Sequence, residues 1–138
     1  MATVAASRDG GAPPTTRLLI PKIGLDDMVV HGTDYRDLLG GPGLLAGSPE
    51  PGEPGNSVIA GHRDTFFRHV VDLAPGDTIL VGRMGHEFKF VVQTKQIVKP
   101  TLTAVLQSTP ASRRTPELTL VTCFPTYWIG PAPKRLIV

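Results

Sequence analysis

Glycine and proline interrupt this chain so often that long helices or strands have little room in it. Among its 138 residues are 15 Gly and 14 Pro, and both residue types end regular elements or mark the turns between them. Apolar residues make up 41% of the chain, which is enough for a packed interior. Because this length is too short for two ordinary domains, we expect one domain of short strands and turns.

The strands are predicted from apolar segments bounded by turn residues. They lie at residues 18–25, 28–30, 57–60, 78–81, 87–98, 118–123 and 134–138. The pattern is clearest in residues 87–98, where Phe88, Phe90 and Val92 alternate with polar side chains, as in a strand with one buried face. About eight short strands predict a mostly β fold that closes, or nearly closes, into an eight-stranded barrel and leaves few edges exposed.

One or two short helices accompany these strands in the prediction. Between residues 31 and 43, Thr33 or Asp34 can cap the start of a short helix. A second short helix is predicted after Asp64, because apolar residues recur there at helical spacing and Asp64 can serve as its cap. The predicted fold class is mostly β whether one or both of these short helices form.

The charge of the chain and its single cysteine exclude several classes of function. The formal charge is only +2, and the Lys and Arg residues are scattered, so nucleic acid is not expected as a partner. The Gly-rich residues 46–56 lack the Lys and the Ser or Thr that complete a phosphate-binding P-loop. With one cysteine and no close pair of His residues at metal-binding spacing, neither a metal nor another cofactor is expected.

The one cysteine, Cys123, ends the predicted strand LTLVTC and precedes a proline-rich loop. A lone cysteine most often serves as a small apolar core residue, but a thiol at the end of a strand can also be reached by a substrate. Because a thiol has an ordinary pKa of about 8.5, a catalytic cysteine needs a nearby base or cation. The residues alone leave the structural and the catalytic interpretation both open.

His62 and a cation near the end of the chain are the candidate partners of this thiol. His62 ends the apolar strand in IAGH, and the preceding Gly61 permits close approach of another part of the chain. In KRLIV, Lys134 and Arg135 belong to opposite faces of the predicted strand, so only one of them can share a face with Cys123. Periodicity does not choose between the two.

Three segments together resemble the catalytic motifs of the sortases, the cysteine transpeptidases of bacterial surfaces. The segments are IAGHR at 59–63, TLVTC at 119–123 and PAPKRLIV at 131–138, and their order and gaps also match. The resemblance implies a sortase-type barrel as the catalytic domain over residues 17–138, nearly the whole folded part. GPAPKR and the absence of long insertions look most like the class D sortases, with class E next.

The resemblance also implies roles for individual residues, position by position. Cys123 is the nucleophile, His62 is the general acid or base, and Arg135 stabilises the oxyanion or orients the substrate. Arg135 is thereby preferred to Lys134, and its planar guanidinium can hold two oxygens at once. The implied substrate-binding residues are Thr122, Ala60 and Trp128.

Similarity to the sortases implies a reaction in two halves. Cys123 attacks the carbonyl of a Thr in an LPxTG-like motif near the C-terminus of a substrate protein, His62 protonates the leaving amine, and a thioacyl enzyme forms. An amine from a cell-wall peptide or a pilin lysine then resolves it, for cell-wall anchoring or pilus assembly. The alternatives are a cysteine peptidase with water as acceptor and a non-catalytic β-barrel binding module.

Residues 1–16 differ from the remainder of the chain. They are small, polar and interrupted by Gly and Pro, which is typical of a disordered lead or an expression remnant. No segment of the chain approaches the roughly 18 apolar residues of a membrane span, so the chain as given is expected to be soluble. Because sortases are normally tethered by a membrane helix, the resemblance implies the extracytoplasmic face of a bacterial membrane, with the N-terminal anchor missing here.

Overall fold

A computed structural model describes residues 16–62, 66–99, 115–124 and 134–138, with residues 35, 123, 124, 134 and 135 described by their backbone alone. These residues form nine strands, one short α-helix and two 3₁₀ turns. The strands are β1 (Thr16–Ile20), β2 (Leu25–His31), β3 (Gly43–Leu44), β4 (Asn56–Ala60), β5 (Thr78–Arg83), β6 (His86–Val91), β7 (Gln96–Val98), β8 (Glu117–Phe124) and β9 (Lys134–Ile137). The helix α1 spans Tyr35–Gly40, and the 3₁₀ turns span Pro21–Ile23 and Val70–Asp72.

All nine strands belong to one curled sheet, in the order β6-β5-β1-β2-β3-β4-β8-β9-β7. This half-barrel confirms the mostly β fold class, but the described residues contain nine strands, whereas seven strand segments were predicted and a barrel of about eight strands was expected. Two differences raise the number. The two-residue strand β3 is too short for its pattern to be recognised, and the strand predicted at residues 87–98 is in fact two strands.

The predicted strand at residues 87–98 is divided because its partner ends before it does. β6 pairs with β5 only as far as Val91, where β5 begins. Val92 then bonds to the turn before β5, since its N–H donates to the carbonyl of Asp77 at 2.9 Å. The chain resumes as β7, which pairs with β9 on the other side of the half-barrel.

The first half of the sheet, formed by β1, β2, β5 and β6, contains only antiparallel pairs. β1 pairs with β2, β5 pairs with β6, and β1 joins the two hairpins by pairing with β5. The turn between β1 and β2 ends at Gly24, whose φ of +66° lies in the left-handed region that favours glycine. Of the predicted lead, residues 1–16, only Thr16 is described, and it is the first residue of β1.

The second half, formed by β3, β4, β8, β9 and β7, joins segments that are far apart in the chain. β3 pairs parallel with β2 and antiparallel with β4. β4 pairs parallel with β8, in a register that sets Asn56 opposite Glu117 and Ala60 opposite Val121. β9 then pairs antiparallel with both β8 and β7. The late strand β8 is thereby inserted between β4 and β9.

The helix α1 confirms the predicted cap at Asp34. The Asp34 side chain accepts a hydrogen bond from the backbone N–H of Asp37, and the Asp34 N–H donates to the Asp37 carboxylate at 3.1 Å, which completes a capping box. In place of the second predicted helix, the described residues show only the 3₁₀ turn at Val70–Asp72, and its predicted cap, Asp64, lies outside the described residues. Within the described ranges, no helix has both the length and the apolar character needed to cross a membrane.

The core lies on the concave side of the sheet and joins the two halves. Its largest fully buried side chains are Phe67, Leu18, Ile20, Ile59, Leu73, Leu120 and Leu136. Ile59 on β4, Leu120 on β8 and Leu136 on β9 each have an exposed fraction of at most 1%. The three strands β4, β8 and β9, which carry the candidate motifs, are therefore held together by buried side chains close to those motifs.

The loop before β4 is fastened to the β5–β6 hairpin. The Arg83 Nε–H donates to the carbonyl of Pro51 at 2.9 Å, and the Arg83 guanidinium lies 5.9 Å from the centroid of the Phe88 ring. A Cβ at Gly52 would come within 2.6–2.8 Å of the same ring. This loop therefore needs glycine at position 52 because an aromatic ring lies against its backbone.

Candidate active site

The motif containing His62 and the motif containing Cys123 end side by side, on two parallel strands. Ala60 is opposite Val121 in the ladder between β4 and β8, and the N–H of Gly61 donates to the carbonyl of Val121 at 3.1 Å. His62 follows Ala60 by two positions, and Cys123 follows Val121 by two positions. The register, continued past its last pair, therefore brings the backbone of His62 alongside that of Cys123.

The third motif meets the second through the ladder between β8 and β9. Cys123 is the Cα partner of Arg135, and Phe124 is the Cα partner of Lys134. Directly opposed residues of an antiparallel pair lie on the same face of the sheet, so the positions of Cys123 and Arg135 share a face. The register thus sets Arg135, and not Lys134, opposite the thiol position, a choice that periodicity had left open.

The position of His62 depends on a close packing contact at Gly61. A Cβ at Gly61 would come within 2.5–2.8 Å of the Phe67 ring, which is completely buried. The N–H of Phe67 also donates to the carbonyl of His62 at 3.1 Å, which closes a turn directly after β4. His62 itself is half-buried, with its Nε2 atom shielded from solvent. The close approach expected at this glycine is therefore made by an aromatic ring from the following segment.

Two of the three predicted substrate-binding residues lie within the described ranges. Ala60 is half-buried at the last position of β4, opposite Val121. Thr122 is 2% exposed and lies opposite the buried Leu136. Its hydroxyl has no hydrogen-bond partner among the described residues. Trp128 lies outside the described residues, and the substrate-binding role of all three stays a prediction.

Sequence reasoning missed Val98 as a member of this region. Val98 ends β7 and is the Cα partner of Arg135, so the positions of Val98, Arg135 and Cys123 follow one another across three strands. The only signal in the sequence was the apolar pair at the end of the predicted strand 87–98. That signal does not say which strand becomes its neighbour, because the pairing with β9 is made across a long stretch of chain.

The arrangement combines the three groups that attack on an amide requires. A cysteine can act as the nucleophile, an imidazole just after a neighbouring strand can transfer the proton, and an arginine can stabilise negative charge on oxygen. In the ranges given above, no group of three or more His, Cys, Asp or Glu side chains is placed to hold a metal ion. Acyl transfer through a thioester is a reaction that a cysteine, an imidazole and an arginine can carry out together.

A model of one protein family, described as Sortase domain, matches residues 18–138 of the chain. The chain belongs to the sortase family. The matched region runs from β1 past the end of β9, so it contains all three motifs. The resemblance seen in the motifs is therefore confirmed at the level of the family.

Named relatives support the same assignment. The sortase is 37% identical over 121 residues to Sortase D of Bacillus subtilis strain 168, and the match covers 88% of the chain and 60% of that relative. The chain thus spans less than two thirds of the length of this curated relative.

Solved sortase structures share the fold over nearly the whole chain. A Sortase D5 transpeptidase of Clostridium perfringens is 26% identical with a TM-score of 0.80, and the match covers 93% of this chain and 78% of that one. Sortase C-1 of Actinomyces oris is 33% identical with a TM-score of 0.79, with 91% and 72% of the two chains covered. The half-barrel is therefore the sortase fold.

Proposed function

We propose that this sortase is a cysteine transpeptidase that cleaves an LPxTG-like sorting motif and transfers the acyl part to an amine. The observation that carries the proposal is the register of three strand ends. Arg135 lies opposite Cys123, and His62 follows a strand that runs parallel to the one carrying Cys123. The membership of the sortase family supports the same reaction class.

In the first half of the proposed reaction, the Cys123 thiolate attacks the carbonyl carbon of the Thr in the sorting motif. The electron pair of the C=O bond moves to oxygen, and the Arg135 guanidinium stabilises the resulting oxyanion. The tetrahedral intermediate then collapses, the C–N bond breaks, and protonated His62 gives its proton to the leaving amine. A thioester between Cys123 and the Thr residue results.

In the second half, an amine attacks the thioester carbonyl while neutral His62 accepts the proton that the amine loses. The C–S bond breaks, a new amide bond forms, and the Cys123 thiolate is restored. The proposed partners are a substrate protein with a C-terminal sorting motif and an acceptor amine on a cell-wall peptide or a pilin lysine. The proposed place of action is the outer face of the bacterial membrane.

A fluorogenic peptide with an LPxTG-like motif tests the proposal when it is incubated with the enzyme in the presence and absence of a short Gly or Ala peptide. We expect cleavage in both cases and a ligated product, detected by mass spectrometry, when the amine is present. Cleavage at an unchanged rate without ligation would show a peptidase with water as acceptor. No cleavage of any member of a motif library would contradict the enzyme assignment.

Alkylation supplies the matched control, because Cys123 is the only cysteine in the chain. Iodoacetamide is expected to modify this one residue in the native protein and to abolish cleavage. Cys123→Ala is expected to fold normally and to lack activity with or without iodoacetamide. A native thiol that resists alkylation, in a protein that cleaves no motif peptide, would favour a structural role for the cysteine in a binding module. Unchanged cleavage in Cys123→Ala would contradict its role as the nucleophile.

A further inference from the structure

A cavity of about 520 Å³ opens at the end of the half-barrel opposite to Cys123. It lies where β6 ends, β7 begins, and β8 enters the sheet, and we call it the seam groove. Its volume falls within the range of about 300–1,000 Å³ that is usual for small-ligand sites. The lining of the groove does not include Cys123, His62 or Arg135, so the proposed reaction leaves the groove without a role.

The floor of the seam groove is apolar and continuous with the core. Ile79, Val92 and Ile137 are between 4% and 6% exposed, and they are joined by the half-buried Phe90 and Leu118. An apolar floor that is open to solvent favours the binding of an apolar side chain, because burying apolar surface is favourable. The apolar floor by itself does not determine which class of ligand binds there.

The rim of the groove is polar and almost balanced in charge. Besides Thr115, its exposed polar side chains are Lys89, Gln93, Thr94, Gln96 and Glu117. None of these five side chains forms a hydrogen bond or ion pair with another residue in the described part of the chain. One cation, one anion and three neutral groups favour a ligand with many hydrogen-bonding groups and little net charge.

Two strand edges border the groove and narrow the choice of ligand. β6 and β7 are the two ends of the sheet, and no strand of the described ranges pairs with their outer edges. An unpaired edge presents a row of backbone N–H and C=O groups to which an extended peptide can add as a further strand. Val91 on β6 and Ile97 on β7 are 51% and 48% exposed, which leaves apolar surface beside both edges.

We infer that the seam groove binds an extended, nearly uncharged segment of the substrate protein that adjoins the sorting motif. The inference rests on the proposed function. The strand β8 runs from the groove at Glu117 to the thiol position at Cys123, and this part of an extended strand is about 20 Å long. A flank of roughly six to eight extended residues can reach from one end to the other.

The experiment compares an LPxTG-like peptide with the same peptide lengthened by eight alternating Val and Ser residues, on either side of the motif. We expect one of the two lengthened peptides to have a KM about tenfold lower, equivalent to roughly 1.4 kcal/mol, with an unchanged kcat. The double variant Gln93→Ala/Gln96→Ala should lose this gain and cleave the short peptide normally. Arg36→Ala, an exposed change on α1, is the control and should keep the gain.

A binding measurement on Cys123→Ala separates this inference from the proposed function, because it needs no turnover. The Val and Ser flank alone should shift the NMR signals of the Gln93 and Gln96 side-chain amides and of the Val91 and Ile97 backbone amides. If these shifts appear but the unsubstituted enzyme cleaves no peptide, the groove still binds the flank, and only the proposed function is contradicted. Equal KM values for all peptides and no shifts would overturn the inference, as would shifts produced by a glycan fragment and not by the peptide.

Discussion

The half of the sheet formed by β1, β2, β5 and β6 is all antiparallel, whereas the half formed by β3, β4, β8, β9 and β7 combines parallel and antiparallel pairs. In the first half, charged groups are paired at the surface, as in Arg17 with Asp26 and Lys22 with Asp77. In the second half, Ser57 and Thr122 are buried with hydroxyls that have no partner among the described residues.

We propose that the second half, whose strands carry the three motifs, is the part of the molecule that reacts. A buried hydroxyl without a hydrogen bond destabilises a protein by roughly 1–3 kcal/mol, so each of these two groups calls for an explanation other than stability. Both of them lie on strands that end in a catalytic motif. We therefore expect substitutions in the second half to affect activity as well as stability, and substitutions in the antiparallel half to affect stability alone.

Replacing Arg135 is the strongest test of where the chemistry lies. Arg135 is opposite Cys123, while Lys134 is opposite Phe124, so Lys134→Ala is the matched control. We expect Arg135→Ala to lower kcat/KM for an LPxTG-like peptide at least about 100-fold, as when one oxyanion donor is removed. The control should lose less than about threefold. Similar losses in the two variants would contradict the role drawn from the register.

A methyl group added at Gly61 should disturb both stability and activity. It would come within 2.5–2.8 Å of the buried Phe67 ring, so the ring or the segment carrying His62 must move. We expect Gly61→Ala to lower the free energy of unfolding by about 1–3 kcal/mol and kcat/KM by at least about tenfold. Urea denaturation and the peptide assay measure the two effects.

Gly82 on β5 provides the control for this substitution in the antiparallel half. Apart from the adjacent residues of the chain, the one described atom within 4 Å of a Cβ placed there is the Cβ of Arg17, at 3.9 Å, which is an ordinary contact distance. Gly82→Ala should therefore leave activity unchanged and stabilise the protein by up to about 1 kcal/mol, because glycine in a strand loses more freedom on folding. A Gly61→Ala enzyme as stable as Gly82→Ala would disprove the packing argument.

Two hydroxyls on neighbouring strands should give opposite changes in stability. The Ser57 hydroxyl is fully buried and has no partner among the described residues, so Ser57→Ala should raise the free energy of unfolding by about 1 kcal/mol. The Thr119 hydroxyl donates to the Asn56 side-chain oxygen at 2.7 Å, and Thr119→Val should lower it by a similar amount. Thermal melts of both variants test the pair, and a destabilised Ser57→Ala would show that its hydroxyl is in use.

The smallest effect is expected from a surface ion pair of the antiparallel half. Hydrogen bonds from Lys22 and from the Ala74 N–H lower the pKa of Asp77 below its ordinary value of 3.8. Because the folded pKa is the lower one, this stabilisation is complete above the ordinary value and is lost as the pH falls through the folded value. Asp77→Asn should therefore show a weaker loss of Tm on acidification, with a small effect because the pair is exposed.

Lys22→Gln checks the cause of that pH dependence, since it removes the first of the two hydrogen bonds and keeps the carboxylate. It should move the acid transition of the Tm toward higher pH and leave peptide cleavage at neutral pH unchanged. An acid transition identical to that of the unsubstituted protein would show that Lys22 does not hold the pKa of Asp77 down.

Elements whose signals are local could be predicted from the sequence. The cap of α1 depends on two residues three positions apart, Asp34 and Asp37, and Asp34 was one of the two caps predicted. The strand predicted at 87–98 was too long. β6 ends at Val91 because its partner β5 begins opposite that residue, and the sequence of 87–98 does not contain this information. The alternation of side chains in a segment does not show which strand pairs with it, so the pairing of β7 with β9 was not predicted. β3 was missed because two residues are too few to show an alternation.

The same limit applied to the candidate site. Alternation placed Lys134 and Arg135 on opposite faces but did not show which of the two faces Cys123 shares. The pairing of β9 with β8 does show it, because Arg135 lies opposite Cys123. Val98 was not recognised because its proximity to Arg135 comes from a pairing between distant segments. The motifs themselves were recognisable because each is contiguous, and the family match agrees with them.

The insertion of β8 between β4 and β9 has a consequence for synthesis on the ribosome. β4 emerges early, but its parallel partner is among the last residues of this sequence to be translated. Closing such a long loop is slow compared with forming a hairpin. A nascent chain can thus complete both hairpins of the first half before β8 and Cys123 have been translated, so the strands that carry the His62 and Cys123 motifs come together only after those hairpins have had time to form.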